Sequence, residues 1–369
     1  MSAEKQSAML EEIEEQPFLL RELWSSHKDW TAPFVELCMQ HKFKRVLFVG
    51  NGSPYYAGET LRFLTERCLR AAVDVVPAAV FAHHENFDPT GDLNSSQILL
   101  ICPAETGHSK GQVDAARRAR SEHIPVVCTT LNPKGVLARE CDVVLSKLGL
   151  GERSVAATKH QTMALFLVMT CLVEAGYALG NLKENDYELS INALCNMPDS
   201  IQKSIDNTIA WFAQNQEIVM SAPAYYLVGY GANLGTCLEG TLKFIETHER
   251  PTCAIELEET LHGPLRAVHK NDVVFLLSAE PGEERDRMDI LARGIQKYCD
   301  HIVVIHSVQQ QTDLLSLPIA SCDIEDICAL EYLIPLQVLS ALIAQQVGID
   351  VTIPKVSELD DLLNPAYED

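Results

Sequence analysis

Glu239, Lys243 and Glu246 stand at i, i+4 and i+7 in Leu238-Glu-Gly-Thr-Leu-Lys-Phe-Ile-Glu246. A helix over this stretch puts all three on one face. Two carboxylates around an ammonium can take a proton and stabilise the charge left behind. The same spacing also suits a solvated face with an i,i+4 ion pair, and by itself it favours that plainer reading. Further on, Glu256-Leu-Glu258-Glu259 runs into Thr-Leu-His262-Gly263-Pro264. An imidazole titrates near neutral pH, so a histidine beside carboxylates can shuttle protons. A histidine in a turn is also a common structural residue.

Two loops offer groups that could hold a ligand. Gly50-Asn-Gly52-Ser53-Pro54 lacks the full dinucleotide fingerprint, because Tyr55 stands three residues after Gly52, and no Walker lysine is present. Such a turn can cradle an anion or a hydroxyl, or it can simply be a tight turn. Ala104-Glu105-Thr106-Gly107-His108-Ser109 follows an apolar run and precedes a helix-length segment. Thr106 and Ser109 bring hydroxyls there, and Ser109 equally fits a helix N-cap. Lys159 and Lys355 can approach a ligand or sit on the surface. His83 and His84 are adjacent and point apart, so no metal site is expected.

The elements that must position these residues repeat. Val46-Leu-Phe-Val-Gly-Asn-Gly52 resembles Tyr225-Tyr-Leu-Val-Gly-Tyr-Gly231, and Leu99-Leu-Ile-Cys-Pro-Ala-Glu105 resembles Val274-Phe-Leu-Leu-Ser-Ala-Glu280. Ile124-Pro-Val-Val-Cys128 resembles Ile302-Val-Val-Ile-His306. All three offsets are about 175 to 180 residues, as a duplicated domain requires. The runs read as strands buried on both faces, and helix-length segments alternate with them. The predicted fold is α/β, with two tandem doubly wound parallel-sheet domains and a helical N-terminal segment. The expected division is 1–41 N-terminal helical segment, 42–180 first domain, 181–221 helical connector, 222–348 second domain and 349–369 a largely irregular tail. Open sheets of this kind bind ligands at the carboxyl ends of their strands, and the expectation is a sugar held between the two halves.

The 369 residues suit two domains, and a net charge of −22 argues against nucleic acid as a partner. Twelve cysteines without C-x-x-C spacing sit largely in apolar runs, which fits a reducing cytosol and buried thiols. The N-terminus has no apolar signal core. The longest apolar stretch, Met163 to Val173, is short for a membrane span. A cytoplasmic protein without a membrane partner is expected.

Together these motifs resemble the SIS (sugar isomerase) family, and within it the isomerase half of glucosamine-6-phosphate synthase and the sugar-amine deglycases. The resemblance runs from Met9-Leu-Glu-Glu-Ile-Glu-Glu-Gln-Pro17 through Glu152-Arg-Ser-Val-Ala-Ala-Thr-Lys159 to Ile334-Pro-Leu-Gln-Val-Leu339. It is strongest in Leu238-Glu-Gly-Thr-Leu-Lys243 and Leu261-His-Gly-Pro-Leu265. It implies that Glu246 is the base moving a proton between C1 and C2 of the opened sugar. His262 would assist ring opening from a neighbouring subunit, which makes the chain a homodimer with shared active sites, or a higher assembly. Lys243 and Glu239 would line the site. Gly52, Ser53, Glu105, Thr106, Gly107, Ser109, Ala157 and Lys355 would fall at phosphate- or substrate-binding positions. No cofactor and no metal are implied.

Two departures refine this. The synthase has a lysine near its C-terminus that forms an imine; the matching stretch after Lys355 reads Val-Ser-Glu-Leu. No glutaminase domain with its N-terminal cysteine is recognisable either. Both features turn the expectation from the synthase toward a deglycase, which hydrolyses a glycated amino acid 6-phosphate to hexose phosphate and free amine. Simple isomerisation of an amino-sugar phosphate is the alternative, and a non-catalytic sugar-phosphate sensor is the alternative of another class. Secondly, Ala104-Glu105 replaces the family's Ser-Gln. A carboxylate beside a phosphate dianion costs energy unless it faces away or pairs with a cation. A phosphorylated small-molecule sugar remains the expected partner.

Overall fold

The aliphatic runs that echo each other form the central strands of two five-stranded sheets in the computed structural model, which describes residues 7–308 and 314–368. The first sheet contains β1 (Arg45–Gly50), β2 (Ala72–Pro77), β3 (Ile98–Pro103), β4 (Val126–Thr130) and β5 (Val143–Ser146), in the order β2-β1-β3-β4-β5. The second contains β6 (Tyr225–Gly229), β7 (Thr252–Glu256), β8 (Val273–Ser278), β9 (His301–His306) and β10 (Leu315–Pro318), in the order β7-β6-β8-β9-β10. The two orders are the same when each sheet is numbered from its own first strand, and every pairing is parallel. Register repeats too: Arg45 pairs with Ile98, and Tyr225 pairs with Val273. The predicted pair of doubly wound α/β domains is therefore present, preceded by the helices Ala8–Glu14, Gln16–Ser25 and His27–Gln40. In this strand order the chain reverses direction between β1 and β3, and between β6 and β8, which opens a crevice at the carboxyl edge of each sheet.

Strands β3, β4, β6 and β8 are buried along their whole length, as sheets covered on both faces demand. Two 20-residue helices, Lys159–Ala178 and Cys328–Val347, are apolar enough by composition to cross a membrane, yet 89% of each window is buried within the protein. They are longer than the apolar stretch read from sequence, and they spend their apolarity on packing. All twelve cysteines are free thiols, and burial pushes Cys38 up to about 12. Such a thiol is a core residue, poor as a nucleophile.

The two compact units are not contiguous in sequence. One gathers the chain up to Pro17, Glu152–Lys159 and Asn196–Ile353; the other gathers Phe18–Gly151, His160–Cys195 and the chain from Pro354. The 38-residue helix Glu184–Ser221 carries the chain from one to the other. In the first of these units, the buried Glu12 carboxylate accepts the backbone N–H groups of Arg153 at 2.5 Å and Ser154 at 3.3 Å. Gln16 donates to Gln337 at 2.7 Å, and Lys159 pairs with Glu15 at 2.6 Å. These bonds attach the N-terminal helix and the 152–159 segment to the helix Cys328–Val347. Glu12→Ala strands two buried donors, so it should cost roughly 2–4 kcal/mol. Urea unfolding measures it, and a loss below about 0.5 kcal/mol, the level of an ordinary surface change, would contradict it.

In the other unit the tail is less irregular than its sequence suggests. It forms the short helix Ser357–Leu363 between Pro354 and Pro365, and then an antiparallel bridge between Ala366 and Ser109. Lys110 N–H donates to the Pro365 carbonyl at 2.8 Å, and Tyr367 N–H donates to the His108 carbonyl at 2.7 Å. The Tyr367 hydroxyl donates to Asp114 at 2.9 Å, with the Arg117 guanidinium 4.8 Å from the ring centre.

Candidate active site

The helix Asn233–His248 starts directly after the turn that follows β6 and packs against Cys328–Val347. The approach is close at Gly240, where a Cβ would stand 2.4 Å from Leu336 Cδ1. This packing buries the face that carries Glu239 and Lys243, which are 1% and 0% exposed. The solvated-face reading of these two residues is thereby overturned. Lys243 Nζ lies 3.3 Å from Glu239 and 2.8 Å from Glu246, whose side chain is 30% exposed. Burial pulls the Lys243 ammonium toward losing its proton, but Glu239 and Glu246 oppose it more strongly, with help from Glu152, and the pKa ends above the usual lysine value. The arrangement is a carboxylate that reaches solvent, seated on an ammonium that does not. Such a carboxylate can accept a proton from carbon while the fixed positive charge stabilises the anion that forms.

Two residues further along, His248 is 4% exposed among Tyr225 and Phe244. Burial, reinforced by Arg250, lowers its pKa from 6.5 to about 3. The folded state therefore holds a neutral ring, and the unfolded state binds the extra proton below about pH 6.5. Stability is present above that pH and falls as pH drops toward 3, by about 2 kcal/mol at pH 5 from this group alone. Comparing urea unfolding of wild type and His248→Phe at pH 7 and pH 5 checks this. The variant should lose less stability on acidification, and an equal loss in both proteins would contradict the assignment.

His262 closes the short helical turn Glu258–His262 and is exposed. Gly263 follows with φ 143°, a conformation that favours glycine. Among the described residues, no hydrogen bond or ion pair joins His262 to Glu246 or Lys243. Two of the three carboxylates before it have structural work. Glu256 accepts the backbone N–H groups of Glu258 at 2.8 Å and Glu259 at 3.0 Å. Glu258 makes a two-point ion pair with Arg287 at 2.6 and 2.7 Å, which lowers its pKa.

The loop residues of the first sheet lie at its switch point. Gly52 has φ 60° and precedes the helix Ser53–Leu69, whose first residue, Ser53, is buried. Gly107 has φ 78°, where a Cβ would come within 3.1 Å of Thr130 Oγ1. The Glu105 carbonyl accepts Leu131 N–H at 2.7 Å, so the backbone of this loop is pinned to the end of β4. Ser109 occupies the N-cap position of the helix Lys110–Ser121, yet its side chain makes no capping hydrogen bond. The structure thus places Gly52, Ser53, Glu105, Thr106, Gly107 and Ser109 at one sheet edge. Ala157 is half-buried and belongs with the 152–159 segment, in the unit of Lys243, and Lys355 is exposed in the tail.

One residue at this edge escaped sequence reasoning. Gln112 is 3% exposed and donates to the carbonyls of Val49 at 3.0 Å and Pro103 at 2.7 Å. It ties the ends of β1 and β3 together and so fixes the spacing of the two loops. A glutamine in the first turn of a helix carries no signal of such a role.

Comparison with known proteins agrees with this architecture. The SIS domain profile matches residues 40–174 and 218–312. The glutamine–fructose-6-phosphate aminotransferase (isomerizing) of Bradyrhizobium diazoefficiens is 26% identical over 363 residues, covering 94% of this chain and 57% of that protein. The protein of the same name from Pyrobaculum aerophilum is 26% identical over 314 residues, covering 85% of this chain and 50% of its own length. The chain therefore spans about half the length of these relatives. Among solved structures, the C-terminal domain of glucosamine-fructose-6-phosphate aminotransferase from Francisella tularensis superposes with a TM-score of 0.82 at 20% identity, covering 93% of this chain and 98% of that one. Glucosamine-6-phosphate deaminase from Thermotoga maritima gives 0.73 at 22% identity, with coverage of 95% and 98%. With the profile matching most of its length, the chain belongs to the SIS domain family.

Proposed function

We propose that the chain is a deglycase: it hydrolyses an amino-linked sugar phosphate, such as a glycated amino acid 6-phosphate, to hexose phosphate and free amine. The observation that carries this reading is the half-open Glu246 carboxylate, 2.8 Å from a wholly buried Lys243 ammonium. For a 1-amino-ketose the chemistry is as follows. After ring opening assisted by His262 of a second subunit, Glu246 takes a proton from C1, and the C–H electron pair forms the C1–C2 double bond of an enolamine. Lys243 stabilises the developing negative charge on the C2 oxygen. Return of a proton to C2 leaves an imine at C1, which water cleaves to an aldehyde and an amine. Gly52, Ser53, Thr106, Gly107 and Ser109, together with Ala157 and Lys355, are assigned to holding the phosphate and the sugar.

The family membership and the aminotransferase and deaminase relatives support sugar-phosphate chemistry at C1 and C2. The isomerase reading needs the same proton shift without the hydrolysis. The test offers purified protein a small panel of glycated amino acids, with and without the 6-phosphate, and measures free amine. Amine release from phosphorylated members is expected. Interconversion of amino-sugar phosphates without amine release would replace the deglycase by the isomerase.

A further inference from the structure

Acidic residues outnumber basic ones in this chain by 51 to 29, yet one cavity is lined by basic groups and by no carboxylate. It measures about 240 Å³ and lies at the amino ends of β1 and β2, lined by Lys42, Lys44 and Arg70 together with Phe43, Leu69 and Leu179. The three cations are exposed, and among the described residues none of them makes an ion pair. Their backbone is held firmly. Lys44 N–H donates to the Gln97 carbonyl at 2.7 Å, and the Lys44 carbonyl accepts Ala72 N–H at 2.9 Å. Arg70 caps the helix Ser53–Leu69 with φ 53° and ψ 41°, a left-handed conformation in which glycine is the usual residue. The Asn181 side-chain amide donates to the Cys68 carbonyl at 2.8 Å, and the Arg70 guanidinium donates to the Asn181 carbonyl at 3.5 Å.

Three helices end at this corner, at Gln40, Leu69 and Ala178, and cations beside a helix C-terminus offset the negative end of its dipole. The duplicated domain shows that the cluster is more than such compensation. Lys42 and Lys44 stand 180 residues before Ala222 and Ala224, which hold the same positions ahead of β6. Arg70 corresponds to Glu249, which caps the helix Asn233–His248 with φ 56°. The second domain therefore builds the same corner with two alanines and a glutamate. Neither the helix ends nor the strand starts require basic side chains there, and only the first domain gathers them around a cavity.

We propose that this cavity binds a small polyanion carrying a phosphate group, at a site separate from the crevice of Gly52 and Thr106. The Arg70 fork can meet phosphate oxygens in pairs, and the two ammonium groups add point charges. A bound polyanion also relieves the mutual repulsion of three neighbouring cations. The volume bounds the ligand. A water takes about 30 Å³, and sites for larger ligands run to roughly 300–1,000 Å³. An ion the size of pyrophosphate fits whole, and a nucleotide fits by its phosphates with the base outside. The six residues of β1 span about 20 Å, and the 17 residues of the helix Ser53–Leu69 span about 25 Å. Both run between this cavity and the Gly52–Ser53 turn, so one ligand of that size does not reach both sites.

The experiment titrates the full chain with inorganic pyrophosphate by calorimetry at low salt, and then with ATP and with sulfate. Pyrophosphate should bind. Arg70→Gly suits the left-handed backbone and Lys44→Ala changes an exposed side chain, so both variants should fold normally, which a thermal melt checks. Each should weaken pyrophosphate about fivefold, and the double variant about twenty-five-fold. Thr106→Ala combined with Ser109→Ala should leave that affinity unchanged, because those hydroxyls lie at the other end of the sheet. ATP binding as tightly as pyrophosphate would support the site with a nucleotide as the source of the phosphate, and binding of pyrophosphate alone would support it with a free ion. Sulfate should bind more weakly, and sulfate binding as tight as that of pyrophosphate would reduce the cavity to unselective attraction and overturn the proposal. So would the absence of pyrophosphate binding, or binding that the double variant keeps and the Thr106→Ala, Ser109→Ala variant loses.

Discussion

Glu246→Gln should stop amine release while leaving the fold intact. Loss of a positioned general base costs about 10²–10⁴-fold in rate, and here no neighbouring group can replace it. Lys243 is protonated, and Glu239 is 1% exposed and turned to the ammonium. Stability should change little, because the Glu246 side chain is 30% exposed and a glutamine oxygen can still accept from Lys243. Initial rates of amine release, together with a thermal melt, measure both effects. Turnover within a few-fold of wild type would remove Glu246 from the chemistry.

Lys243→Met should have a second large effect, on stability as well as rate. It leaves the Glu239 carboxylate buried without its positive neighbour, and breaking a buried pair on one side costs about 3–5 kcal/mol. Combining Lys243→Met with Glu239→Gln removes both charges and should recover most of that stability without recovering activity. Urea unfolding of the two single variants and the double variant gives the coupling. A double variant as unstable as the sum of the singles would mean that the two charges do not depend on each other.

The strands were legible because a parallel sheet buries both faces, so Val46–Gly50 and Tyr225–Gly229 are apolar without alternation. Duplication made them doubly so, since each run occurs again about 175 to 180 residues later in the same order. The face of Glu239, Lys243 and Glu246 was legible as a face and misread as solvated. Its burial comes from Leu336 and its neighbours on a helix about a hundred residues away, and no local pattern reports that packing. The same reason hid Gln112, whose two carbonyl partners, Val49 and Pro103, lie at the ends of different strands. Ser109 takes the N-cap position that its sequence suits, and its hydroxyl makes no capping hydrogen bond there.

The central claim is a proton shift between C1 and C2 that precedes hydrolysis, and isotopic labelling reads it directly. A 1-amino-1-deoxy-ketose 6-phosphate carrying two deuterons on C1 is turned over, and the hexose phosphate is analysed by NMR and mass spectrometry. The account predicts that one of the two C1–D bonds is broken for each amine released, leaving a single deuteron on the aldehyde carbon. Release of amine with both deuterons still on C1 would contradict it.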